Sequence, residues 1–280
     1  AIEDYAGGRQ EGAEQILEAA LNRDPRDARA LNWRGRLKVD RLDFAEALKD
    51  FTSAIEADPK LAVAWYNRGN VKIDIGDYMG ALKDLGQAAH LDPGLTGAPY
   101  SAGLAKLEIG DFRGAEDAFR IAYSGASDLR QALWRRGEAL EGMGDSAEAA
   151  VLYGRMLERH PNSLSALLAR GGAWEALREY EKAAEDFTKV IEAAPELTLG
   201  YRRRGDAWDS ARKEARALED FDKAIALDPE DADLYFARGH VRYHLKRYAD
   251  AVEDWSRAVS LRPEMAGPLQ AYISYAKLKK

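Results

Sequence analysis

The chain contains no cysteine, which excludes a disulfide framework, a thiolate metal site and a cysteine nucleophile. It has no long hydrophobic run. The longest, Leu61 to Tyr66, is six residues, against the ~18 to 20 needed to span a bilayer. Nor is there an excess of positive charge: 41 basic side chains face 48 acidic ones in 280 residues, for a net charge of −7. The acidic surplus is shared by both halves, so no basic arm is available to neutralise phosphates. No glycine-rich phosphate loop, nucleophile elbow or convergent acid pair occurs, and an enzyme is the least expected reading. What is present suits a folded protein, with 46% apolar and 32% charged residues. Of the basic residues 27 are arginine, and alanine and glycine abound, a bias expected of a GC-rich bacterial genome.

The organising feature is a repeat. Glycine recurs at Gly35, Gly69, Gly103, Gly137, Gly171, Gly205 and Gly239, always 34 residues apart. Twelve residues after each stands alanine, from Ala47 and Ala81 through to Ala251, and four further on a large apolar residue: Phe51, Leu85, Phe119, Tyr153, Phe187, Phe221 and Trp255. Proline closes the units at Pro59, Pro93, Pro161, Pro195, Pro229 and Pro263, with Ser127 the exception. Apolar residues at three-to-four spacing (Trp65, Val71, Ile75, then Ala81, Leu82, Leu85, Ala88) predict two helices per unit. Turns such as Gly76-Asp77 separate them, and proline stops the second. Two helices can approach closely where glycine meets alanine, so Gly69 opposite Ala81 and Ala88 is expected to set a tight antiparallel pair.

This pattern resembles the tetratricopeptide repeat, above all in residues 62–95 with WYNRGN, IGDYMGAL and LDP. The resemblance implies an all-α, right-handed α-solenoid of antiparallel helix pairs. Its register gives a partial repeat at 1–27, seven full repeats (28–61, 62–95, 96–129, 130–163, 164–197, 198–231 and 232–265) and a capping helix at 266–280. The chain is expected to begin inside a first helix, as a fragment or processed form. The cap carries Ile273 where glycine belongs and is expected to turn a polar outer face to solvent.

Arginine precedes the glycine in six of the seven repeats: Arg34, Arg68, Arg136, Arg170, Arg204 and Arg238. Aspartate follows 16 residues later at Asp50, Asp84, Asp186, Asp220 and Asp254, whereas repeat 3 lacks both partners, with Ala102 and Ala118. The joint loss predicts a structural ion pair within each repeat rather than a phosphate site. Such pairs are expected to be partly exposed and worth ~1 kcal/mol each. Arg136 is matched by Leu152 and has no predicted partner.

In the family the first helices line a concave groove. Its helical stripe falls here on Trp33, Tyr66, Asn67, Asn70, Tyr100, Trp134, Arg135, Arg202, Arg203, Phe236, His240 and Tyr243. Aromatic rings bury area at low entropic cost, and asparagine amides can pair with an extended backbone, so this ledge suits a peptide. A chaperone-type carboxylate clamp is not expected, because only Asn70 and Arg135 match it. His240 and His244 stand one turn apart, opposite Asp206 and Asp209, and are read as contact residues rather than metal ligands.

The expectation is therefore a non-catalytic scaffold binding a peptide or protein segment in the groove, without cofactor or metal. The alternatives are a self-assembling structural protein that associates through its repeat ends and, less favoured, a helical-repeat nucleic-acid binder. Neither nucleic-acid binding nor membrane insertion is expected. The compartment is read as cytoplasmic, with the periplasm left open.

Overall fold

The computed structural model describes residues 10–125 and 130–279. Ser127, the first nine residues of the partial repeat and Lys280 lie outside them. The described residues form α-helices and one 3-10 turn, with no strand among them. Their tertiary contacts gather into two units, 1–144 and 145–280.

The first unit holds α1 (Gln10–Arg23), α2 (Ala28–Asp40), α3 (Phe44–Ala57), α4 (Ala62–Asp74), α5 (Tyr78–Leu91), α6 (Gly97–Glu108), α7 (Phe112–Gly125) and α8 (Arg130–Gly142). The second holds α9 (Ser146–Arg159), α10 (Leu164–Ala176), α11 (Tyr180–Ala193), α12 (Thr198–Ser210), α13 (Glu214–Leu227), α14 (Ala232–His244), α15 (Tyr248–Leu261) and, after the 3-10 turn Pro263–Met265, α16 (Ala266–Leu278). The boundary falls inside the fourth 34-residue unit, at the turn between α8 and α9. Within each unit successive helices pack side by side.

Steric fit sets the pairing. A methyl group on Gly35 would lie 2.7 Å from the Phe51 ring, on Gly103 2.6 Å from Phe119, and on Gly171 2.5 Å from Phe187. The first helix thus offers a flat spot into which the ring of the second is pressed. Phe51, Phe119 and Phe187 are wholly buried, as are Ala47, Ala115 and Ala183. Each such ring contributes about 2–3 kcal/mol of hydrophobic burial. Aspartates start several second helices: Asp77 Oδ1 accepts the Gly80 amide at 2.9 Å, and Asp145 Oδ1 that of Glu148 at 3.2 Å. The turn before them needs one left-handed residue. Glycine supplies it at Gly76 (φ 80°), Gly110 (76°) and Gly144 (78°), but Leu42, Arg178, Arg212 and Lys246 adopt it at φ 58–62°. Those four positions cost roughly 1 kcal/mol each.

The ion pairs follow the 16-residue register, with more burial than expected. Asp84 is 3% exposed and receives Arg68 Nε at 2.7 Å and Nη2 at 2.9 Å. Arg34–Asp50, Arg170–Asp186, Arg204–Asp220 and Arg238–Asp254 repeat this bidentate grip. A second cation joins in three repeats, with Lys38 and Lys72 at 2.8 Å from Asp50 and Asp84 and Arg242 at 2.8 Å from Asp254. In repeats 5 and 6 the equivalent residues are Trp174 and Trp208. Arg136 is corrected outright. It is itself buried and turns back to Glu116 on α7, with Nε at 2.9 Å and Nη2 at 2.5 Å from Oε1. With Ala118 at the register position of repeat 3 and Leu152 at that of its own repeat, Glu116 is the carboxylate left as its partner.

The outer side of α16 also differs from expectation. Lys277 and Lys279 are exposed, but so are Tyr272 (45%), Tyr275 (46%) and Leu278 (83%). Leu269 and Ala276 anchor the helix against α15. Among the described residues no helix is long and apolar enough to cross a membrane.

Candidate functional site

In the first unit the stripe residues of α2, α4, α6 and α8 are half-buried. Trp33 rests on the core of the first repeats and carries the Arg36 guanidinium 4.4 Å above its ring. Asn67 Nδ2 donates to the buried Asn32 Oδ1 at 2.9 Å. That bond ties α4 to α2 and commits the amide that was expected to meet a peptide backbone. Asn70, one turn on, makes no side-chain hydrogen bond with any described residue.

The rings then reach from each first helix to the next. Tyr66 lies across α6, where a methyl group on Gly97 would stand 2.9 Å from its hydroxyl. Glycine at that position lets the ring lie flat. Tyr100 packs edge-on against Phe119 at 5.5 Å between centroids, and its hydroxyl donates to Gln131 Oε1 at 3.4 Å on α8. Arg135 Nη1 donates to Glu138 Oε2 at 2.8 Å. The other oxygen of Glu138 accepts Trp134 Nε1 at 3.0 Å. The Glu138 carboxylate raises the Arg135 pKa further. Tyr66, Tyr100 and Trp134 thus stand half-buried at one register position on α4, α6 and α8, with the polar edges of Tyr100 and Trp134 held by Gln131 and Glu138. Pre-set rings of this kind lose little entropy on binding.

The second unit is built differently. Ala169 and Gly172 on α10 leave room into which Arg203 folds: its Nη2 lies 2.5 Å from Glu175 Oε2, and its guanidinium sits 5.1 Å from the Phe187 ring centre. A methyl group on Gly172 would come within 3.2 Å of that Nη2. Between α12 and α14 a cavity of about 480 Å³ is lined by Arg202, Asp206, Asp209, Phe236 and His240. Burial raises the Asp206 pKa to about 6, against the downward pull of Arg202. It also raises Asp209 and Glu175, the latter despite Arg203. His240 is lowered, first by burial and then by His244. Its ring meets Phe236 at 4.6 Å and Trp255 and Tyr272 at 5.4 Å. Tyr243 joins the same aromatic cluster through Tyr248, Trp255, Tyr272 and Tyr275. Among the described residues no three of His, Asp and Glu gather to hold a metal ion.

Sequence reasoning placed Asp206 and Asp209 beside the histidines but passed over Glu175. The signal was available, since Glu175 falls on the same helical stripe.

The tetratricopeptide repeat profile matches residues 34–96, 100–156, 135–197 and 232–265. The chain belongs to the tetratricopeptide repeat family. Three solved structures in this family are similar in fold. The C-terminal part of a repeat-containing protein from Cytophaga hutchinsonii has TM-score 0.70 and 17% identity, over 82% of this chain and 95% of that one. A tetratricopeptide repeat protein from Parabacteroides merdae has TM-score 0.56 and 20% identity, over 86% and 95%. YrrB, described as a tetratricopeptide repeat protein with an unusual peptide-binding site, has TM-score 0.57 and 23% identity, over 70% and 97%. At such identities the likeness speaks for the fold alone. No curated protein matches the sequence. In this tetratricopeptide repeat chain the recurring glycine, alanine and arginine–aspartate positions hold the helix pairs together.

Proposed function

We propose that this chain is a non-catalytic protein–protein interaction scaffold whose ledge holds a segment of a partner protein. The observation that carries the reading is the set of half-buried rings Tyr66, Tyr100 and Trp134 at one register position: Tyr66 lies against Gly97, the Tyr100 hydroxyl is held by Gln131 and Trp134 Nε1 by Glu138. Half-buried rings bind apolar side chains, and the Arg135–Glu138 pair beside them bonds a backbone or a polar side chain. Arg202, Phe236 and His240 offer a second contact area in the other unit, where Arg203 is engaged by Glu175. Asn70 remains available to a peptide group.

Aromatic anchors of this kind carry ~2 kcal/mol or more of an interface. Tyr100→Ala combined with Trp134→Ala should therefore weaken binding at least tenfold with the helical circular dichroism unchanged. The ligand is a peptide selected on the wild-type chain from a random display library, and the measurement is calorimetric. Full affinity in the folded double variant refutes the ledge.

Association through the repeat ends is the second reading. It is supported by the exposed Tyr272, Tyr275 and Leu278 on α16. Light scattering at several concentrations separates the two, because a scaffold that binds through its ledge keeps a constant mass.

A further inference from the structure

Three repeat arginines, Arg68, Arg204 and Arg238, use the guanidinium in two directions. Nε and Nη2 grip the aspartate 16 residues ahead, as described. Nη1 reaches back to the residue 16 before it, on the second helix of the preceding repeat. Arg68 Nη1 donates to Thr52 Oγ1 at 3.2 Å, Arg204 Nη1 to Thr188 Oγ1 at 3.0 Å, and Arg238 Nη1 to Asp222 Oδ1 at 2.5 Å. For Arg170 the residue in that place is Gly154, which offers no acceptor. Its Nε and Nη2 hold Asp186 at 2.8 and 2.6 Å. Its Nη1 makes no hydrogen bond with any described residue, and a methyl group on Gly154 would still lie 3.6 Å away.

A cavity of about 640 Å³ opens at this point, between α9 and the α10–α11 pair. Leu157 lines it and Val151 (54% exposed) stands at its edge. Arg155 and Lys189 lie along it, as do Glu158 and Glu192, so its lining charges nearly cancel. Selection must then come from the fixed donor rather than from net charge. Arg238 shows what such a donor accepts, since it holds two carboxylates at once, Asp254 and Asp222. The slot contains none of the ledge residues. Arg170 sits on the side of α10 opposite Leu168 and Gly172, as their helical spacing requires.

The geometry points to a second docking site, in which Arg170 Nη1 takes the carboxylate of an aspartate or glutamate side chain of a partner protein, with an adjoining apolar residue against Val151 and Leu157. The partner supplies from outside the acceptor that Thr52, Thr188 and Asp222 supply from within. This inference stands apart from the ledge reading, and either can fail alone.

The test uses the full chain with nitrogen-15-labelled arginine and the probe N-acetyl-valyl-glutamate amide, titrated at constant ionic strength. The expected result is a saturable shift of the Arg170 guanidinium signal, absent at Arg68 and Arg204. Gly154→Thr should abolish it by restoring the internal acceptor, and Gly154→Ala should keep it. Gly154→Ser repeats the test should the threonine variant fold poorly. The Tyr100→Ala, Trp134→Ala variant should bind the probe as wild type does. Equal shifts at all repeat arginines, no saturable shift at Arg170, or a shift that survives in folded Gly154→Thr would each overturn the site.

Discussion

Gly171→Ala is the sharpest test of how the helix pairs are held. The added methyl would stand 2.5 Å from Phe187 Cε1 and 2.7 Å from Cζ, well inside contact distance. Phe187 has no room to retreat, because it is fully buried and packed with Ala183, Ala184 and Ala207. Overpacking a core of this kind costs about 1–3 kcal/mol, while replacing a helical glycine by alanine returns up to ~1 kcal/mol. The net expectation is a loss of about 1–2 kcal/mol. Two internal controls sharpen it. At Gly205 the methyl would meet Phe221 at 3.0 Å, so Gly205→Ala should lie close to neutral. At Gly86 on α5 nothing lies within 4 Å, so Gly86→Ala should stabilise by about 0.5–1 kcal/mol. Urea unfolding of the three variants, with amide exchange to localise the effect, gives the order directly. Equal effects at all three positions, or a more stable Gly171→Ala, would refute the argument that ring-on-glycine contact sets the pairing.

The remaining predictions concern charge. Arg170→Ala should destabilise more than Arg68→Ala, because Asp84 keeps Lys72 whereas Asp186, 2% exposed, keeps no second cation. Stranding a buried carboxylate costs about 3–5 kcal/mol, and the pair of variants should differ by at least 1 kcal/mol of that in urea melts. Glu116→Ala should cost more than an exposed glutamate such as Glu158, since it strands the buried Arg136. A cost below ~1 kcal/mol would mean that water reaches that arginine. Asp206 titrates at about 6 in the folded chain and near 3.8 when unfolded, so between those values the folded state holds the extra proton. Its contribution to stability therefore grows as pH falls from about 7 to 4. Asp209 and Glu175 act in the same sense, and His240, held low, acts against them below its ordinary value of 6.5. Asp206→Asn should stabilise at pH 7.5 by roughly 1–2 kcal/mol and much less at pH 4.5. Parallel stability–pH curves for the two proteins would show that Asp206 is in effect solvated.

Much of the fold was legible because each repeat touches only its neighbours, so packing constraints recur at a fixed spacing and add up in the sequence. Arg204 and Asp220 sit 16 residues apart, as do their counterparts in four other repeats, and could be read as contacts, whereas Gly69, expected opposite Ala81 and Ala88, meets Leu85 first. What escaped was whatever a side chain decides by reach. Arg136 lost its register partner and swung to Glu116, 20 residues upstream on another repeat. The second cations Lys38, Lys72 and Arg242 stand one turn beyond the arginine, a spacing that was in view but unread. The ledge was legible as a stripe, but not as a surface. Helical spacing put Asn67 beside Asn70, yet only the facing Asn32 shows that one amide is used and the other open.

The two sides of each first helix therefore answer to different constraints. On the scaffold side a substitution disturbs a buried carboxylate or a ring pressed against glycine, and the cost falls on stability. On the ledge side the residues are half-buried and change chemistry from repeat to repeat: rings in the first unit, then Ala169 and Gly172, then Arg202 with Asp206. Gly154 is the exception that makes the distinction useful. It lies on the scaffold side, where threonine or aspartate completes the arginine's bonds in three other repeats, yet it leaves Arg170 Nη1 open to a cavity. A scaffold position tuned for stability alone would carry threonine there, because a helical glycine is itself less favourable. A gain in stability for Gly154→Thr together with loss of carboxylate binding would mark this repeat as one where a scaffold contact has been given up for an external one.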